Sequence, residues 1–158
     1  MAVINTSAGN EAVLKIYDLD SSGAIVDANV LTIPFMQDVT VNNSTGTFRF
    51  KTLDSGSESV VTTPSTNQLS LNAIVDSEAF FGGTGTGDVV TDGIFGTSGN
   101  KTEVGFHMYF DGTDTGSKYL SGRGFISGLA PTVNPDAPLW ITPVTIEVNG
   151  DFTEAEVS

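Results

Sequence analysis

From Val104 to Phe110 the apolar residues Val104, Phe106, Met108 and Phe110 alternate with Gly105, His107 and Tyr109. A period of two places the two sets on opposite faces of an extended strand, whereas a helix needs a period near 3.6. The pattern recurs. Gln68 to Val75 sets Leu69, Leu71, Ala73 and Val75 against Gln68, Ser70 and Asn72, and Trp140, Thr142, Val144, Ile146 and Val148 form the inward set of another strand. Lys118 to Leu129 reads as a further strand, with Gly122, Gly124 and Gly128 at one parity and one face almost bare. Half-buried strands joined by turns make the chain all-β and mainly antiparallel.

The other segments follow the same logic. Glu11 to Tyr17 is a first strand, Asp18 to Gly23 a turn, and Ala24 to Val30 a returning partner. Pro34 interrupts the apolar run from Leu31 to Met36, which reads as a crossing or edge segment. Asp38–Asn42 and Thr47–Leu53 are expected to pair as a hairpin about Asn43-Ser44-Thr45-Gly46, with Phe48 and Phe50 inward and Arg49 and Lys51 outward. Residues 54–66, rich in Ser, Thr, Asp and Gly, then form a long inter-strand loop. Asp76 to Phe81 allows a helical turn. Asp88 to Phe95 is a second helix candidate, capped by Asp88 and weakened by Gly93. The glycine run 82–87 reads as a hinge, and Pro131, Pro135 and Pro138 as a stiff crossover. One domain over 1–158, with a polar N-terminal arm at 1–10, is the expected organisation.

Chemistry is hard to find in this chain. Cysteine is absent and His107 is the sole histidine, so neither a thiolate metal site nor a Ser-His-Asp arrangement is supported. Asp18-x-Asp20-x-Ser22-Gly23 opens like a calcium loop, but Asn29 stands where the bidentate glutamate belongs, so it reads as a turn. Asp111-Gly112-Thr113-Asp114 reads the same way. The glycine run lacks the Lys-Ser/Thr of a phosphate loop, and Trp140 reads as a core residue. A formal charge of −13 with six basic residues argues against a nucleic-acid reader, which needs cations to neutralise phosphates. The start lacks a basic, apolar leader and no run approaches the ~18 apolar residues of a membrane span, so no membrane anchor is expected. The expectation is a protein that is not an enzyme and carries no metal or cofactor.

Two features ask for a partner. The glycine face of Gly122, Gly124 and Gly128 around Arg123 invites close approach of another backbone. The 54–66 loop, with Asp54, Gly56, Glu58, Val60 and Val61, has no core to explain its length. These nine residues are the candidate subunit-interface positions.

The order of elements resembles the tail tube proteins of long-tailed bacteriophages. The likeness is carried by Ile33-Pro34-Phe35-Met36-Gln37-Asp38-Val39-Thr40, by Gln68 to Asp76, and by Ser121-Gly122-Arg123-Gly124-Phe125-Ile126-Ser127-Gly128-Leu129. The strand from Pro138 to Val148 with its Asn149-Gly150-Asp151-Phe152 end completes it. The resemblance implies a β-sandwich or half-barrel with one short flanking helix, placed at Asp88–Phe95. It also implies rings of six subunits that stack into a tube, the 54–66 loop linking ring to ring. Self-association and contact with other virion tail proteins follow, in a virion assembled in the host cytoplasm. DNA would pass through without specific binding, and an acidic wall suits that role. A head decoration or connector subunit, or a carbohydrate-binding sandwich on a fibre, are the alternatives.

Overall fold

The computed structural model describes residues 12–33, 36–54, 56–75, 77–83, 88–110, 112–134 and 137–158. The polar arm 1–10, Pro34, Asp76, residues 84–87, Asp111 and Pro135 lie outside them. In chain order the strands are β1 (Val13–Leu19), β2 (Ile25–Ile33), β3 (Met36–Phe50) and β4 (Ser59–Val75), followed by helices α1 (Ser77–Phe81) and α2 (Val89–Gly99). Then come β5 (Val104–Tyr109), β6 (Lys118–Leu129), β7 (Thr132–Asn134), β8 (Ala137–Val148) and β9 (Thr153–Glu156). All pair antiparallel in one sheet ordered β2-β1-β5-β6-β8-β4-β3, with β7 added to β8 and β9 to β6. The sheet curls into a half-barrel.

The alternating segments put their apolar sets into one core. Leu14 and Ile16 of β1, Leu69, Leu71, Ala73 and Val75 of β4, Val104, Phe106 and Met108 of β5, and Val144 and Ile146 of β8 are all buried there. Trp140 packs partly buried against the same cluster. Burying each of these side chains larger than alanine contributes on the order of 1.5–3 kcal/mol, which favours this register over a one-residue slip. Phe110 departs from expectation: β5 ends at Tyr109 and Phe110 is exposed.

Two helices, rather than one, close the open side of the core with Phe80, Val89 and Ile94. The Asp88 side chain accepts hydrogen bonds from Val90 N at 2.9 Å and Thr91 N at 2.8 Å, while Thr91 Oγ1 accepts from Asp88 N at 3.3 Å. This capping box starts α2 despite its poor helix formers. Gly93, with φ 66°, breaks the helix in the middle and packs against α1.

The expected hairpin at 38–53 is not formed. β3 runs straight through Asn43-Ser44-Thr45-Gly46 and pairs with β4 from Met36↔Ala73 to Phe50↔Ser59. Gly46 falls in a register shift between Thr45 and Thr47, where a Cβ would strike Thr63 Oγ1. The expected 54–66 loop is correspondingly short, because Ser59 to Thr66 belongs to β4. Threonine-rich segments suit an extended ribbon, since β-branched side chains fit the pleat.

β6 carries a second surprise. Ile126 pairs with Ile146 but Gly128 pairs with Thr145, so Ser127 is the extra residue of a bulge. Gly128 therefore lies on the face opposite Gly122 and Gly124. The expected proline crossover is instead a hairpin, with Thr132 and Val133 of β7 opposite Ile141 and Trp140 of β8. Pro143 sits in an interior strand, at the gap between the Leu129↔Val144 and Thr132↔Ile141 pairs where no ladder bond is lost on that side.

Candidate assembly surfaces

β4 is 17 residues long, and only its second half, from Asn67 onward, pairs with β8. Among the described residues the first half pairs with β3 alone. Residues 43–66 thus form a two-stranded arm that leaves the sheet at Asn67 with both faces in solvent. Phe48 is 61 % exposed, Phe50, Val60 and Val61 are exposed, and Leu53 at the tip is fully so. The rings of Phe48 and Phe50 stack with centroids 6.3 Å apart, and Val61 lies across from Phe48 on the same face. Arg49 pairs with Val60 on the other face and its guanidinium lies 3.8 Å from Glu58, an exposed ion pair of little energetic weight. Isolated ribbons of this kind are marginal in water.

The base of the arm is anchored. Asn67, 2 % exposed, donates from Nδ2 to Gly150 O at 2.7 Å and to Asp151 Oδ1 at 3.2 Å. Its own Oδ1 has no hydrogen-bond partner among the described residues.

Of the sequence-derived interface positions, Asp54, Gly56, Glu58, Val60 and Val61 come together on the arm. Gly122, Arg123, Gly124 and Gly128 lie apart from them, within the sheet. A Cβ on Gly122 would meet Phe106 Cζ at 2.8 Å, and one on Gly124 would strike the Glu147 carbonyl oxygen, so core packing already accounts for both glycines. Gly128 faces the other way, beside the Thr145 side chain. Arg123 lies 3.8 Å from Glu103 and covers Gly23 in the β1–β2 turn. In that turn Asp20 Oδ1 accepts from Ser22 N at 2.8 Å, Ser22 Oγ at 2.6 Å and Ala24 N at 3.0 Å, which is what the calcium-like spacing builds.

Two groupings escaped sequence reasoning. The first is a shelf at the opposite end of β4 from the arm tip. There Phe81, 52 % exposed, and Phe95, 56 % exposed, pack edge-on at 6.0 Å, and Phe81 meets Trp140 at 5.5 Å. Exposed Val133 is paired with Trp140 alongside. The only sequence signal was the Phe80-Phe81 doublet, where a short amphipathic turn buries just one ring.

The second is an aromatic cluster on the face of the sheet away from the core. His107 lies between Tyr17 and Tyr119, with ring centroids at 4.8 and 4.6 Å, and Tyr109 Oη is 3.3 Å from His107 Nδ1. Burial pushes the His107 pKa below its ordinary value, with Asp27 opposing and Lys15 adding to the shift. Burial likewise raises Tyr17 and Tyr109. On the core side, Asp18 is raised by burial even though its carboxylate accepts the Val89 amide at 3.2 Å. The rings of Tyr17, His107, Tyr109 and Tyr119 pack against one another. Among the described residues no three His, Asp or Glu side chains group as a metal site, and no helix is long and apolar enough to cross a membrane.

No protein-family model matches the chain, and no curated protein does. Solved structures do match. One is a chain of the SPP1 tail tube, at TM-score 0.64 and 10 % identity, covering 96 % of this chain and 80 % of that one. A chain of the virion of a native gene transfer agent matches at TM-score 0.62 and 10 % identity, covering 95 % and 99 %. A chain from the tail of the empty gene transfer agent particle, refined helically with C6 symmetry, matches at 0.60 and 12 %, again covering 95 % and 99 %. At such identities the likeness is one of fold: this chain has the all-β fold found in those tail and virion chains.

Proposed function

We propose that the chain is a structural subunit of a phage-type tail tube, assembling into rings that stack into a channel through which DNA passes. The observation that carries this reading is the arm. A single chain gains little from holding about two dozen residues in a two-stranded ribbon with apolar side chains on both faces. A subunit that inserts the ribbon into a neighbour gains the burial that a monomer forgoes. The fold match over nearly the whole chain to a tail tube and to a helically arranged tail supports the same reading.

Rings of six, by analogy with the C6 tail, would pair the edge strands β2 and β3 of adjacent subunits and leave no sheet edge open. Stacking by a head-to-tail contact then repeats without closure, which yields a tube. A net charge of −13 suits a conduit that must not hold phosphate. On this reading the protein is not an enzyme, its partners are its own copies and other tail proteins, and it resides in the virion after assembly in the host cytoplasm. Asp54, Gly56, Glu58, Val60 and Val61 act in ring-to-ring contact, and Arg123 and Gly128 on the outer face are the remaining interface candidates.

Sedimentation velocity across rising protein concentration tests the reading. Discrete ring-sized species followed by a polydisperse fast fraction are expected; a single monomer peak at every concentration contradicts it.

A further inference from the structure

The arm and the shelf sit at opposite ends of one strand. β4 begins at Ser59 beneath the arm tip and ends at Val75, which pairs with Trp140 under the Phe81–Phe95 edge. At about 3.3 Å per residue, its 17 residues separate the two apolar patches by roughly 50 Å. Within one chain they cannot meet. Between two copies displaced along β4 they can, and each copy then offers one arm upward and one shelf downward. We propose that the Phe81–Phe95–Trp140 shelf is the receptor for the arm of a second copy of this chain. This rests on the tube reading and names the surface that receives the ring-to-ring contact.

Charge selects this pairing over the alternatives. Residues 43–66 carry Arg49 and Lys51, two of the chain's six basic residues, against Asp54 and Glu58, two of its nineteen acidic ones. The arm is therefore neutral in a chain of −13. The described helical residues and their cap, by contrast, bear Glu78, Asp88 and Asp92 and no Lys or Arg. Most surfaces of such a protein repel one another, but the arm can approach the helices and set its cations beside their carboxylates. An arm facing another arm meets cations as well as carboxylates, whereas the described helices offer carboxylates alone.

Area fits as well. Taking about 200 Å² for a whole aromatic side chain, each patch exposes a few hundred Å² of apolar surface. That is half or less of the ~800 Å² per partner of a stable pair. One contact is too weak to hold two monomers, whereas a ring engaging all its arms at once binds with the combined strength of many. Rings should therefore form before tubes.

The test compares three full-length proteins by negative-stain microscopy at matched concentration: wild type, an arm variant Phe48→Ser/Phe50→Ser, and a shelf variant Phe81→Ser/Phe95→Ser. Tubes are expected from wild type and only rings from each variant. Preformed rings of the two variants, mixed in equal amounts, keep one intact arm face and one intact shelf face per pair. They should give double rings that grow no further. Should the shelf serines compromise folding, Val90→Lys on the solvent side of α2 sets a cation against Arg49 and Lys51 and should shorten tubes at unchanged thermal midpoint. Wild-type tubes from the shelf variant or from Val90→Lys overturn the shelf assignment while leaving the tube reading intact. Absence of any wild-type assembly overturns both.

Discussion

Asn67 donates its side-chain amide to the Gly150 carbonyl at 2.7 Å, tying the point where the arm leaves the sheet to the turn between β8 and β9. One residue thereby links the segment proposed to reach outward with the last strands of the core.

Replacing Asn67 by Ala removes both bonds and leaves the carbonyl of exposed Gly150 to water. A typical hydrogen bond contributes about 0.5–1.5 kcal/mol net, and the unpartnered Asn67 Oδ1 disappears with the substitution, so a loss of about 1 kcal/mol is expected. Urea denaturation should show that loss, and hydrogen exchange should speed up in residues 59–66 while β5 and β8 stay protected. An arm as protected as in wild type would show that Asn67 does not set it.

The β6 glycines should differ in cost. Gly122→Ala meets the far edge of the Phe106 ring, which can tilt, and should cost about 1–2 kcal/mol. Gly124→Ala meets the Glu147 backbone carbonyl, which cannot move without opening the β6–β8 ladder, and should cost about 3 kcal/mol or more. Equal denaturation midpoints for the two variants would contradict this packing account.

Gly93→Ala should uncouple the helices. Its φ of 66° is unfavourable for alanine, and a Cβ there would lie 2.7 Å from Phe80 O and Phe81 C. The expected loss is about 2–3 kcal/mol, with Trp140 fluorescence shifting red as Phe80 and Phe81 move off it. An unshifted spectrum would count against the close approach of α1 to α2.

His107 gives a pH signature. Its folded pKa lies below the ordinary 6.5, so the unfolded chain takes up the proton first as pH falls. Stability from this group is intact above about pH 6.5, declines as pH falls through that value, and levels off below the folded pKa. Asp18, raised by burial, acts in a lower window: its ionisation is penalised in the fold, so its contribution is lost as pH rises through the ordinary 3.8. Between pH 7 and 5 the decline should be present in wild type and reduced in His107→Gln, read as the difference in thermal midpoint. Parallel curves would remove His107 from the account.

Where a strand had one face on the core, the sequence could be read almost residue by residue. β1, β5, β6, β8 and the second half of β4 all declare themselves through alternation, and Asp88 announced α2. The first half of β4 and the adjoining part of β3 did not, because both their faces meet solvent and no face selects apolar residues. Thr62, Thr63, Ser65 and Thr66 therefore looked like loop, and Asn43 to Gly46 like a turn. The β6 bulge was equally hidden: Gly128 shares parity with Gly122 in the sequence, and only the pairing with Thr145 shows the change of face. The interface positions on the arm were named from an unexplained length, while Phe48, Phe50 and the Phe81–Phe95 edge were missed because large apolar residues are ordinarily assigned to a core.

The central claim is that the exposed arm exists to join copies of this chain into a tube. Ser44 and Thr66 are a cross-strand pair, so residues 45–65 can be replaced by an Asn-Gly turn that closes the shortened hairpin. Negative-stain images of the concentrated wild-type protein and of this variant test the claim most directly. The account predicts long tubes from the first and isolated rings from the second; tubes from the armless variant, or no assembly from the wild type, would contradict it.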